Sequence, residues 1–278
     1  MSIQRQERPV REVSIDAMRD DRLSARQDLV VVEEPLEIRV AQAGDDGPGT
    51  SMSITMRTPG HDIELAVGFL YGEGIIRSRE DVAEGRTCGP VGNIVRIQLS
   101  ASAAYDTGRL QRNFYTTSSC GVCGNASLAA VERMMRSPRV DGALKVGAAL
   151  LETLSERARA GQDVFRETGG LHASCLFDAE GALHGIREDV GRHNALDKLV
   201  GAKLLAGELP LSQRILFLSG RASFELLQKA AAAGIPAVAA VGAPSSLAID
   251  LAQRTGILLV GFLRGRSFNV YAHRERLQ

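Results

Sequence analysis

Between Ile215 and Phe262 the chain repeats one pattern: a short apolar run, a loop bearing glycine or serine, then a helix. Ile215-Leu216-Phe217-Leu218 leads into Ser219-Gly220-Arg221 and a helix expected from about Ser223 to Ala233. Ala237-Val238-Ala239-Ala240-Val241 leads into Gly242-Ala243-Pro244-Ser245-Ser246 and a helix to about Arg254, and Ile257 to Phe262 follows as a third apolar run. Strands that are apolar at consecutive positions must be covered on both faces, which requires an α/β sheet with helices on either side. Ligands of such sheets sit beyond the carboxyl ends of the strands, where these polar loops fall.

The first half reads differently. Residues 1–24 are charged and aperiodic, a mobile tail on this reading. Leu29 to Val32 and Leu36 to Val40 look like strands; Asp45 to Gly49 is a turn, and Ser51 to Arg57 alternates as a further strand. Asp62 is placed to cap a helix striped by Ile63, Ala66, Val67 and Leu70, with Gly74 at its stop. Asn93 to Leu99 alternates again. The expected organisation is therefore a small α+β domain over residues 25–113, then a larger α/β domain over 114–278. In the larger domain a helix is expected over about Ala143 to Ala160, with Leu144, Leu151, Leu154 and Ala158 on its buried side. A hairpin is expected around Asp178-Ala179-Glu180-Gly181.

Lys plus Arg equals Asp plus Glu at 33 each in 278 residues, so bulk charge gives no attraction to nucleic acid or to an anionic membrane. Aromatic residues are only 4%, which argues against a stacking surface for single-stranded nucleic acid. The opening residues, Met1 to Pro9, hold no apolar core of a signal peptide, and no apolar run approaches a membrane span. A cytoplasmic location is the expectation.

Two of the four cysteines, Cys120 and Cys123, form a Cys-x-x-Cys in Thr117-Ser118-Ser119-Cys120-Gly121-Val122-Cys123-Gly124. The following segment, Asn125 to Met135, is rich in helix formers, with Leu128, Val131 and Met135 at helical spacing. A cysteine at a helix start meets unpaired N–H groups and the positive end of the dipole, which favour the nucleophilic thiolate. Three readings stay open from residue types alone: thiol chemistry, a metal site and plain structure. A zinc site needs two further ligands, and His172 with Cys175 is the available pair, but their spacing on a strand puts them on opposite faces.

Other polar runs offer a pocket. Glu188 to Lys198 contains an acid, Arg192, His193 and an amide beside Gly191; the plainer reading makes Asn194 a helix cap and Asp197-Lys198 a solvated face. Thr168-Gly169-Gly170-Leu171-His172 brings a loop histidine. The loops at Ser219 to Ser223, with Arg221, and at Ala243 to Ser246 each precede a helix whose first N–H groups favour an anion. Gly261 to Tyr271 adds Arg264 and Arg266 around a glycine, suited to a diphosphate.

These motifs, taken in this order along residues 28–275, closely resemble the FdhD family, the sulfurtransferases required for formate dehydrogenase activity. The resemblance implies a persulfide carried on Cys120, with Cys123 as accessory thiol, received from a cysteine desulfurase and passed to a molybdenum cofactor before insertion into formate dehydrogenase. That cofactor, Mo-bis(molybdopterin guanine dinucleotide), is then a bound substrate, and the family's binding segment matches Phe262, Leu263, Arg264, Gly265, Arg266 and Ser267. A guanine nucleotide such as GDP is expected to occupy the same site, with His172, Arg192, His193 and Arg221 as a second group of pocket residues. The resemblance also implies a homodimer and a larger domain similar to cytidine deaminases. Deaminases pair Pro-Cys-x-x-Cys with an earlier His-x-Glu. Here Ser119 precedes Cys120, and the one His-x-Glu is His273-Arg274-Glu275 at the C-terminus, so no protein-bound metal is expected.

Overall fold

The structure is a computed structural model that describes residues 9–103, 140 and 144–278. Three sheets account for its strands. The first is a two-stranded hairpin of β1 (Val10–Arg19) and β2 (Arg22–Val31), paired along its whole length. Asp20 and Asp21 turn it at φ 47° and 58°, the doubly left-handed geometry of a two-residue hairpin loop. Residues 10–24 are thus extended and paired rather than an aperiodic tail. The alternation of Val13, Ile15 and Ala17 is present, but neither face of the hairpin is buried deeply enough to demand a cleaner pattern.

The second sheet, order β4-β3-β6-β5, joins β3 (Glu34–Ala41), β4 (Thr50–Arg57), β5 (Val82–Cys88) and β6 (Ile94–Leu99). Helix α1 (Asp62–Gly72) covers one face, burying Leu65, Ala66, Val67 and Leu70 against Leu36, Ile38, Val95 and Ile97. Gly74, at φ 68°, closes the helix: its N–H bonds Tyr71 O and that of Ile75 bonds Leu70 O, as in a Schellman stop. Asp62 does not cap. It is the first helical residue, and its carboxylate accepts two bonds from the buried Arg57 at 2.9 and 3.0 Å.

The third sheet has the order β12-β11-β10-β9-β7-β8. Its members are β7 (His172–Phe177), β8 (Leu183–Asp189), β9 (Ile215–Leu218), β10 (Ala237–Ala240), β11 (Leu258–Arg264) and β12 (Ser267–Ala272). β9, β10 and β11 run parallel; β7, β8 and β12 complete the sheet antiparallel to their neighbours. Helices α2 (Ala148–Ala160) and α3 (Asp163–Thr168) precede it, α4 (Arg192–Leu205) follows β8, α5 (Phe224–Ala232) follows β9 and α6 (Ser246–Thr255) follows β10. Alternate residues of each central strand enter opposite cores. Leu216, Leu218, Val238 and Leu259 meet α4, α5 and α6, while Ile215, Phe217, Ala237, Leu258 and Val260 meet Leu151, Leu154 and Ala158 of α2. This two-sided burial is why the strands read as unbroken apolar runs.

α2 begins five residues later than Ala143, which lies outside the described residues. Val146 instead runs extended beside the C-terminus, with its N–H on Arg276 O and its carbonyl taking the N–H of Gln278. Backbone pairing there overrides the helical apolar spacing that included Leu144. The expected domain boundary at 113/114 and the helix after the cysteines also lie outside the described residues. The two larger sheets are joined through helices: α1 lies on α4, and the crossing is glycine on backbone. A Cβ on Gly68 would fall 1.9 Å from Asp197 O, and one on Gly201 1.9 Å from Glu64 O. No described helix is long and apolar enough to cross a membrane.

Candidate functional site

The polar loops after β9, β10 and β11 form one continuous surface at one end of the six-stranded sheet. The strand ladder runs on into them: Val241 N–H bonds Leu218 O at 3.0 Å, Gly242 N–H bonds Gly220 O at 2.9 Å, and Phe262 N–H bonds Gly242 O at 3.2 Å. Ala222 and Ser245 close the first two loops on each other. β7 starts at this same end, where Ser219 Oγ accepts from Ala173 N–H at 2.8 Å. The glycines permit the close approach. A Cβ on Gly242 would lie 3.0 to 3.1 Å from Arg221, and one on Gly220 3.2 Å from His172 Nδ1.

His172, Arg192, His193 and Arg221 are brought together here. Burial, followed by the charge of Arg192, holds His172 below the ordinary imidazole value; Arg221 adds to that depression and Asp189 opposes it. Burial lowers His193 further, to about 4, although Glu225 opposes it. Its Nε2 lies 3.3 Å from Ser223 Oγ and 3.5 Å from Glu225 Oε2. Ser223 begins α5 without capping it, whereas Ser245 Oγ accepts from Ala248 N–H at the start of α6. Arg192 Nε is buried with no partner. Among the described residues no carboxylate pairs with Arg192, Arg221 or Arg264. Three guanidinium groups without a described carboxylate partner, at one end of a sheet and beside two helix N-termini, make a surface chemically suited to an anion.

The segment Phe262 to Ser267 extends β11 beyond Gly261, which packs against Pro244 and Gly242 O, and turns tightly into β12. Its residues are not equivalent. Leu263 is buried against α2 and takes no part in the surface, while Arg264 and Arg266 are exposed. Arg266 Nε lies 3.5 Å from Glu152.

Asp189 is the member of this region that sequence reasoning missed. Fully buried, it accepts from four donors: Thr58 N–H at 3.1 Å, Gly191 N–H at 2.8 Å, Asn194 Nδ2 at 3.1 Å and Lys198 Nζ at 2.6 Å. It ties the loop after β4 to the start of α4, which carries Arg192 and His193. Asn194 is not the cap; Gly191 occupies that position, and Asn194 reaches Met56 O and Asp189 instead. Asp197 and Lys198 are not a solvated face but are both buried. Lys198 pairs with Asp189, and Asp197 pairs with Lys229 at 2.5 Å. Burial pushes Asp197 up to about 7, while the carboxylates of Asp197, Glu225 and Glu73 outweigh burial at Lys229 and keep it charged. Every residue of α4 from Asn194 to Gly201 is buried, which leaves no wet side for these two residues.

Cys120 and Cys123 lie outside the described residues. Cys175 lies in the core beneath α2, where burial pushes its thiol up to about 12. His172 opens at the sheet end instead. No group of three or more possible metal ligands occurs among the described residues.

The sequence profile of the FdhD/NarQ family matches residues 31–278. Proteins named sulfur carrier protein FdhD include one from Streptomyces coelicolor, 50% identical over 94% of this chain and 93% of its own. Another, from Mycolicibacterium paratuberculosis, is 51% identical over 91% and 93%. A third, from Sulfolobus acidocaldarius, is 41% identical over 96% and 98%. The fold matches the crystal structure of a putative formate dehydrogenase accessory protein from Desulfotalea psychrophila, with a TM-score of 0.75 at 23% identity over 98% of this chain and 100% of that one.

Proposed function

The chain belongs to the FdhD/NarQ family, and from that premise we propose that it is a sulfur carrier serving formate dehydrogenase. The observation that carries the reading is that a relative half identical to this chain, over 94% of one sequence and 93% of the other, bears that carrier's name. Cys120 is the proposed carrier. Its thiolate attacks the outer sulfur of a cysteine desulfurase persulfide; one S–S bond forms as the donor's breaks, and the donor leaves as a thiolate. The Cys123 thiolate then attacks the Cys120 sulfur, forming a Cys120–Cys123 disulfide and releasing hydrosulfide to the molybdenum site. A thiol reductant supplies the two electrons that restore both thiols.

The proposed acceptor, the guanine dinucleotide form of the molybdenum cofactor, rests on the sheet-end surface. Its phosphates suit Arg192, Arg221 and Arg264, the cations that no described carboxylate neutralises. His193, neutral at physiological pH, adds a hydrogen-bonding group without further positive charge. A cytoplasmic site of action and a homodimer belong to the same proposal.

The test is intact-protein mass after incubation with an active cysteine desulfurase and cysteine, without reductant. A gain of one sulfur on the wild type, absent from Cys120→Ala and reversed by a thiol, supports the carrier role. No gain on the wild type overturns it. Normal formate dehydrogenase maturation by a Cys120→Ala, Cys123→Ala protein would transfer the reading to a cofactor-binding chaperone.

A further inference from the structure

Ser223 and Ser245 hold the same place in successive loops, just before α5 and α6, yet their hydroxyls bond differently. Ser245 Oγ accepts from Ala248 N–H, the ordinary capping bond of such a serine. Ser223 Oγ leaves α5 uncapped and lies 3.3 Å from His193 Nε2. Glu225, in the first turn of α5, approaches the same nitrogen, with Oε2 at 3.5 Å. Its other oxygen, Oε1, lies 3.5 Å from the ammonium of Lys229, whose nearer partner is Asp197 at 2.5 Å. Lys229 and Asp197 are buried, so the carboxylate that meets the imidazole is itself fixed from the core.

These contacts decide where the proton of the ring sits. A carboxylate accepts and cannot donate, and a neutral imidazole carries a single N–H. Burial keeps His193 neutral; Glu225 opposes this, while Lys229, Arg192 and His172 add to it. The one proton therefore belongs on Nε2, where the acceptors are, and Nδ1 carries the lone pair. No described residue bonds Nδ1. We infer that Glu225 is a positioning residue: it holds the His193 proton on Nε2 and so makes Nδ1 a hydrogen-bond acceptor beside the guanidinium groups of Arg192 and Arg221. Such a surface discriminates among anions. Guanidinium groups answer to negative charge alone, whereas a lone pair is satisfied only by a ligand that also brings an O–H or N–H donor. This inference rests on the reading that the surface takes a nucleotide, which brings both. Sulfate at neutral pH brings charge and no donor.

The experiment begins with nitrogen NMR of the histidine rings in the full chain, free of ligand at neutral pH, which reports which ring nitrogen carries the proton. The wild-type His193 is expected in the Nε2–H form, and the Nδ1–H form would overturn the inference whatever the ligand. Glu225→Gln keeps the shape but brings an amide N–H to the ring, and should move the proton to Nδ1. A proton still on Nε2 in that variant would remove the part given to Glu225. Ser223→Ala should leave the proton on Nε2, because Glu225 remains. Calorimetry with GDP, and with sulfate as its competitor, then reads the consequence. Removing a carboxylate from a cationic surface strengthens anion binding on charge alone, so a merely electrostatic Glu225 predicts tighter GDP and tighter sulfate in Glu225→Gln. The positioning role predicts GDP affinity lower by about 10-fold, with sulfate affinity unchanged or higher. A reversed tautomer with GDP affinity unchanged or higher would overturn the acceptor role. A wild type in the Nε2–H form that binds neither ligand would sink the nucleotide reading and the acceptor role together, and leave the hold of Glu225 on the imidazole standing.

Discussion

Asp189 and Arg192 are three residues apart, yet the charges around them are arranged in opposite ways. Asp189 is sealed from water and satisfied by four donors of this chain, one of them the ammonium of Lys198. Arg192 has a buried nitrogen with no acceptor, and Arg221 and Arg264 share its lack of a described carboxylate partner. A charge balanced wholly inside the fold is there to hold the fold. Charges left unbalanced at the ends of three strands add nothing of this kind to the fold, and they suit the proposed anionic ligand.

The contrast is broken most severely at the knot. Asp189→Ala leaves Lys198 buried and unpaired, and should lower unfolding stability by about 3 to 5 kcal/mol in a urea titration. Replacing both residues with apolar ones should recover part of that loss, since the penalty lies in the orphaned charge. A smaller effect is expected from pH. His193 is protonated at about 4 when folded and at about 6.5 when unfolded, so its contribution is complete above 6.5 and is lost as pH falls towards 4. Over that window the wild type should lose about 3 kcal/mol more stability than His193→Gln, because one pKa unit corresponds to about 1.4 kcal/mol. Equal slopes for the two proteins would refute the buried, neutral state of this imidazole.

The other side of the contrast should scarcely move stability. Arg221→Ala is expected within about 0.5 kcal/mol of the wild type in the same titration, while GDP affinity falls roughly 10-fold. Smallest of all should be the response of the knot to salt. Raising salt from about 0.1 M to about 1 M shortens the Debye length from about 10 Å to about 3 Å, which should weaken GDP binding yet leave the Asp189→Ala penalty nearly unchanged.

The same division decides what the sequence discloses. The central strands were legible because burial on both faces forces apolar residues at every position, and their loops stand out by contrast. Gly74 was legible because a helix stop needs a left-handed residue. The β1–β2 hairpin was not, because an arm that buries little places few demands on its side chains. The plainer of the two readings of Asp197 and Lys198, a wet face, fails because their partners, Lys229 and Asp189, come from outside the turn they share. The arginines and histidines that meet at the sheet end could be named from the sequence, but which arginines lack partners emerges only when the chain is folded. Leu263 shows the converse: it lies inside a matched segment, yet its side chain faces the core.

The glycine contact between α1 and α4 has a thermodynamic consequence. With Glu64 O and Asp197 O each lying where a methyl group would otherwise be, the helices share one packed layer rather than two facing surfaces. Separating α1 and its four-stranded sheet from α4 therefore bares the helix that packs on β7 and β8. The two sheets should melt together in a single calorimetric transition, and amides in α1 and α4 should exchange with solvent through the same opening.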